Sequence, residues 1–306
     1  MAMIDDSAAR AALSAFGRVG TAMITPFTAE GALDRKAVEA VAEHLITAGN
    51  DMLVVSGTTG ESPTTSDAEK AELVRIVRGV AAGRAKVIAG VGTNDTSHSI
   101  ALARSAAEAG ADGLLLVTPY YSKPSQASIV AHMGAVADST DLPVMLYDIP
   151  GRSSVPLETP TLLELAEHPR SLAVKDAKGR LDAACEVLSH GTLAYYSGED
   201  ALNLPLLAIG AVGIVSVVGH VASDRLSALV SHAANDDFAA ARALAWELVP
   251  LVDAIMNHMP GVVAAKAALE LQGVIGTRAT RLPLLPADAG QMEFVRRALQ
   301  RSEYLT

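Results

Sequence analysis

The chain has a single cysteine, Cys185, among 306 residues, so no intramolecular disulfide can form, which fits a reducing compartment. Aromatic residues make up only 4%, with one tryptophan, so the core must be largely aliphatic. Basic residues are outnumbered, 24 Lys and Arg against 34 Asp and Glu, for a net charge of −10. With no basic run, nucleic acid and anionic membranes are poor partners. The eight histidines show no H-x-H or H-x-x-x-H spacing, which argues against a metal site. The G-x-S-x-G elbow of serine hydrolases is missing. Gly90-Val91-Gly92 lacks the third glycine of a dinucleotide fingerprint, since Asp95 stands there. The start carries Asp5 and Asp6 rather than the basic end and apolar run of a signal peptide.

What is present is a large apolar fraction, 50%, with 19% charged residues, which excludes a disordered chain. Ala201–Ala222 has no charged residue and is long enough to span a bilayer. Pro205, Gly210, Gly213 and Gly219 interrupt it, so it reads as a short helix, a glycine turn and a buried strand, Gly213–Val217.

Short apolar runs centre near Met23, Leu53, Ile88, Leu115, Met145, Ala173, Ala194 and Val215. They are continuous rather than alternating, as expected of parallel strands covered on both faces. Helical segments lie between most of them. Asp34 and Ser66 read as N-caps, as do Thr96 or Ser97, and Thr159 ahead of Pro160. Leu181–His190 reads as a helix that places Cys185 in the core. Eight such units close into a (β/α)₈ TIM barrel, here residues 17–234, after an N-terminal segment 1–16. From about Asn235 the strand pattern stops, and 235–306 reads as a C-terminal helical appendage.

Barrel chemistry sits at the C-terminal ends of the strands. After the second run, Ser56-Gly57-Thr58-Thr59-Gly60-Glu61-Ser62 offers hydroxyls and backbone amides suited to a small anion. No Lys follows in the Walker position, so a carboxylate fits better than a nucleotide phosphate; an ordinary loop has the same composition. The sixth run ends Val174-Lys175-Asp176. An amine in an apolar strand has a depressed pKa and can attack a ketone as a Schiff-base nucleophile, unless its stem snorkels to solvent. Tyr147 falls at the same level of the adjacent run, where its hydroxyl would reach Lys175 and relay protons. Arg152, in the next loop, has the planar fork that suits a carboxylate. Tyr120 and Tyr121 fit core, interface or relay equally.

Taken together, Gly57-Thr58-Thr59-Gly60-Glu61, Thr118-Pro119-Tyr120-Tyr121, Tyr147-Asp148-Ile149-Pro150-Gly151-Arg152, Val174-Lys175-Asp176-Ala177 and Arg281-Leu282-Pro283 closely resemble the dihydrodipicolinate synthase family, in its actinobacterial branch. That family belongs to the pyruvate-dependent class I aldolases. The resemblance implies that Lys175 forms an imine with pyruvate. Thr59, with the amides of Thr58 and Thr59, would hold the pyruvate carboxylate. Tyr147, Thr58 and Tyr121 would form a proton relay, with Tyr121 supplied by a neighbouring subunit. Arg152 would bind the carboxylate of L-aspartate 4-semialdehyde, and Gly198 and Val215 would contribute backbone to the site. It further implies a cytoplasmic homotetramer, a dimer of dimers, at the first committed step of the diaminopimelate and lysine branch. No metal or organic cofactor is expected, because the imine serves as the electron sink. The lysine effector site of regulated relatives maps to Ser62, Pro63, Asp67, Lys70, Asn94, His98 and Tyr120. Many inhibited members have His at the position of Lys70 and Glu at that of His98. Losing that carboxylate and gaining an ammonium predicts weak or absent inhibition by lysine.

Overall fold

A computed structural model describes residues 7–305. Asp5 and Asp6, on which the signal-peptide reading rests, lie outside the described residues. Eight parallel strands close in sequence order: β1 Val19–Ala22, β2 Met52–Val55, β3 Lys86–Gly90, β4 Gly113–Val117, β5 Val144–Asp148, β6 Ser171–Asp176, β7 Ala194–Ser197 and β8 Gly213–Ser216, which returns to β1. Seven of the eight apolar centres fall within strands, and Met23 lies just past β1. The chain enters through α1 (Ser7–Phe16), which packs against β3, β6 and β7. The outer helices of the barrel are α2 Arg35–Thr47, α3 Asp67–Ala81, α4 Thr96–Glu108, α5 Gln126–Ala137, α6 Pro150–Ser153, α7 Thr159–Ala166, α8 Leu181–His190, α9 Asn203–Ala208 and α10 Gly219–Ala234. Three more follow: α11 Phe238–Met256, α12 Gly261–Leu271 and α13 Ala289–Arg301.

The period-2 alternation of the strands divides the core into two layers. Val144, Leu146 and Val174 face the helices, whereas Met145, Tyr147 and Ala173 face the barrel interior with Phe16 of α1. Lys175, two residues after Ala173, is thereby turned inward at the C-terminal rim. Asp148 and Asp176 are turned outward.

Several local expectations are corrected. The α4 cap is Asp95, not Thr96 or Ser97; its carboxylate accepts from the amides of Ser97 at 2.8 Å and His98 at 3.2 Å. Glu158 rather than Thr159 precedes α7, because the Thr159 hydroxyl is drawn to Glu186 at 3.0 Å. Cys185 is exposed, because α8 turns Ala184 and Val187 inward instead. Asp34 and Ser66 do cap α2 and α3. Ala201–Ala222 resolves into α9, β8 and the start of α10, and no single helix among the described residues is long and apolar enough to cross a membrane.

Candidate active site

The pairing of β5 with β6 aligns Tyr147 with Lys175. Both side chains are buried, and the Lys175 Nζ lies over the Tyr147 ring, 4.3 Å from its centroid. The amine thus meets the ring face, while the phenol hydroxyl has Thr58 as its hydrogen-bonding neighbour. Burial drives both titrations. It pulls Lys175 down from 10.5 to about 8, against the opposing pull of Asp200 and Glu199. It pushes Tyr147 up from 10.0 to about 12, so the phenol keeps its proton at neutral pH.

Thr58 and Thr59 occupy a tight turn after β2. The Gly57 carbonyl accepts from the amides of Gly60 at 3.0 Å and Ser62 at 3.3 Å. Among the described residues the amides of Thr58 and Thr59 meet no acceptor, which leaves two donors for an anion. A cavity of about 250 Å³ opens here, lined among others by Gly57, Thr58, Ser62, Tyr120, Tyr147 and Arg152. Lys175 does not line it directly and joins it through the ring of Tyr147. Arg152 is exposed on α6 and its charge acts on both Tyr147 and Lys175.

Gly198 shapes the other side of Lys175. A Cβ there would stand 2.8 Å from Lys175 Cγ and 3.0 Å from Cε, so only glycine leaves the stem its room. Val215 is buried in the inner layer of β8. Tyr121 does not join the cavity of its own chain: it is 87% exposed and held at a φ of +74°, a strained conformation for a tyrosine.

The positions that the resemblance maps to an effector site divide. Ser62, Pro63 and Tyr120 line the main cavity, and Asp67 and Lys70 line a small recess beside it. His98 Nε2 is 3.0 Å from both carboxylate oxygens of Asp67. The Lys70 ammonium donates to the Thr65 carbonyl at 2.5 Å. Asn94 is exposed ahead of α4.

Two acidic groups take roles that the sequence leaves unassigned. Asp200 is buried and accepts from the Ser216 hydroxyl and from the amides of Val217 at 2.8 Å and Val218 at 3.0 Å. It ties the loop carrying Gly198 to the end of β8. Asp148 is fully buried, pairs with Lys178 at 2.9 Å and accepts from the Leu157 amide at 3.1 Å. It joins the loop that carries Arg152 to the one after Lys175. The signal for both was a carboxylate at or just beyond the end of an apolar strand, where burial demands a partner.

A family model described as the dihydrodipicolinate synthetase family matches residues 15–302. A 4-hydroxy-tetrahydrodipicolinate synthase from Kineococcus radiotolerans is 59% identical over 90% of this chain and 89% of its own length. One from Corynebacterium aurimucosum is 54% identical over 97% of this chain and 98% of its own. Among solved structures, a lysine-bound dihydrodipicolinate synthase from Cyanidioschyzon merolae superposes with a TM-score of 0.92 at 38% identity, covering 95% of this chain and 99% of that one. A Bacillus anthracis dihydrodipicolinate synthase does so with a TM-score of 0.89 at 40% identity, covering 93% and 98%. By sequence over nearly its whole length, and by the barrel that positions Lys175, this chain belongs to the dihydrodipicolinate synthetase family.

Proposed function

We propose that the chain is a 4-hydroxy-tetrahydrodipicolinate synthase, a lyase of the class I aldolase type, and that Lys175 is its nucleophile. The observation that carries the reading is the buried amine over the Tyr147 ring, its pKa lowered to about 8. In the neutral form it adds to the C2 carbonyl of pyruvate. Loss of water from the carbinolamine gives an iminium, with Tyr147 and Thr58 passing the protons. The cationic nitrogen draws electrons as a methyl proton leaves, and the resulting enamine carbon attacks the aldehyde carbon of L-aspartate 4-semialdehyde. The amine of that substrate then attacks C2, closes the ring and releases Lys175. Thr59 and the turn amides hold the pyruvate carboxylate, with Gly198 leaving room for the Lys175 stem and Val215 in the inner layer of β8.

Arg152 supports a semialdehyde bearing a carboxylate over a neutral sugar as the second substrate, because it lines the cavity with a cation suited to a carboxylate. Tyr121, exposed and strained, suits a residue that completes the relay of a neighbouring subunit, and so a homotetramer built from dimers. The free, exposed Cys185 suits the reducing cytoplasm. A steady-state assay offering pyruvate with either aspartate semialdehyde or N-acetylmannosamine tests the assignment. Turnover with the semialdehyde alone is expected, and Arg152→Ala should raise its KM while leaving that of pyruvate nearly unchanged. Turnover with the sugar alone would overturn the reading.

A further inference from the structure

The C-terminal helices reach the substrate turn through an ion pair. Lys266 of α12 is 0% exposed, and its ammonium lies 2.5 Å from Glu61 Oε1 and 2.7 Å from the Ala279 carbonyl. It also lies over the Phe27 ring, 4.4 Å from the centroid. The other oxygen of Glu61 accepts the amide of Arg281 at 3.0 Å. Arg281 in turn clamps Glu69 of α3 with two bonds, at 2.6 and 2.9 Å, and its guanidinium carbon lies 4.1 Å from the centroid of the same Phe27 ring. Glu61 is only two residues beyond Thr59. It is held at a φ of +53°, and its own amide donates to the Thr58 carbonyl at 3.2 Å. The hydroxyl of Thr25 binds the neighbouring Gly60 carbonyl at 2.6 Å.

A buried ion pair is a poor device for stability alone, because well-packed apolar residues of similar volume often do as well. Its strength is direction: both oxygens of the carboxylate and the ammonium are committed to fixed partners. The fixed end lies on the leg of the turn whose other leg presents the free amides of Thr58 and Thr59.

We propose that Glu61 and Lys266 are positioning residues for the pyruvate carboxylate, the pair locking the turn so that the Thr58 and Thr59 amides converge on one anion. The inference rests on the reading that this turn binds pyruvate. Through it the C-terminal helices become part of the substrate site although none of their described residues lines the cavity.

The test uses Glu61→Gln, and the double variant Glu61→Gln/Lys266→Met, which leaves no buried charge behind. Pyruvate is titrated against borohydride trapping on Lys175, alongside KM, kcat and thermal melting. The expected result is a rise of about tenfold or more in the pyruvate concentration for half-trapping and in its KM. Both kcat at saturating pyruvate and the KM of the aldehyde should stay within about threefold. A purely structural pair would lower the melting temperature and leave the pyruvate titration in place, which would overturn the proposal, as would failure of both variants to fold. If the parent enzyme traps no pyruvate, the functional reading itself fails. If the parent traps it and the variants titrate identically, only the positioning role does.

Discussion

Tyr147 and Lys175 are register partners on adjacent strands, and the amine of one rests on the ring of the other at 4.3 Å from the centroid. The amine is buried against the ring, and the phenol keeps its proton at neutral pH, as the proposed relay requires. Tyr147→Phe preserves the ring and removes the proton. It should leave the fold and pyruvate trapping in place and slow turnover about 10²-fold, typical of a lost general acid–base group. Full turnover in that variant would contradict the relay assignment.

Burying Lys175 carries a cost in stability with a definite pH signature. The unfolded amine holds its proton up to about 10.5 and the folded one only to about 8, so the unfolded state binds more protons between those values. Stability therefore rises with pH across that window, and below about 8 the full penalty, on the order of 3 kcal/mol, is present. Lys175→Met should melt at higher temperature than the parent at pH 7, and the gap should close as pH rises from 8 to 10.5. A gap independent of pH would show that the amine is not depressed. Pyruvate capture by the parent should correspondingly accelerate as pH rises through 8.

Gly198→Ala brings a methyl to 2.8 Å from Lys175 Cγ and 3.1 Å from the Asp176 carbonyl. The lysine stem must yield, so imine formation should fall by about tenfold or more while the barrel still folds. Rapid-quench trapping measures this, and parent-like rates would mean that the stem has slack.

Free lysine should inhibit weakly or not at all. An incoming ammonium meets Lys70, and Asp67 is already engaged by His98 at 3.0 Å. Half-inhibition below 1 mM lysine in the steady-state assay, an order-of-magnitude threshold for a site with matched charges, would contradict this.

How legible each feature was follows from the range over which it acts. The barrel is written in short apolar runs and local caps such as Asp34 and Ser66, and Lys175 stands out because an amine in an apolar strand is costly. The alignment of Tyr147 with Lys175 is readable because neighbouring parallel strands keep a common level. Which distant segment supplies a partner leaves no local trace. Glu61 and Lys266 are 205 residues apart, and the partner of Asp148 sits two residues past β6. Asp95 caps α4 although the two hydroxyl residues that follow it suit a cap equally well in sequence, and one position on an amphipathic helix is enough to turn Cys185 outward.

The most direct measurement is borohydride reduction of the parent in the presence of pyruvate, followed by peptide mapping by mass. One stable pyruvate-derived addition on Lys175, absent without pyruvate and absent in Lys175→Met, is the expected result. An intact Lys175 peptide with the adduct elsewhere, or no adduct at all, would contradict the assignment of this amine as the nucleophile.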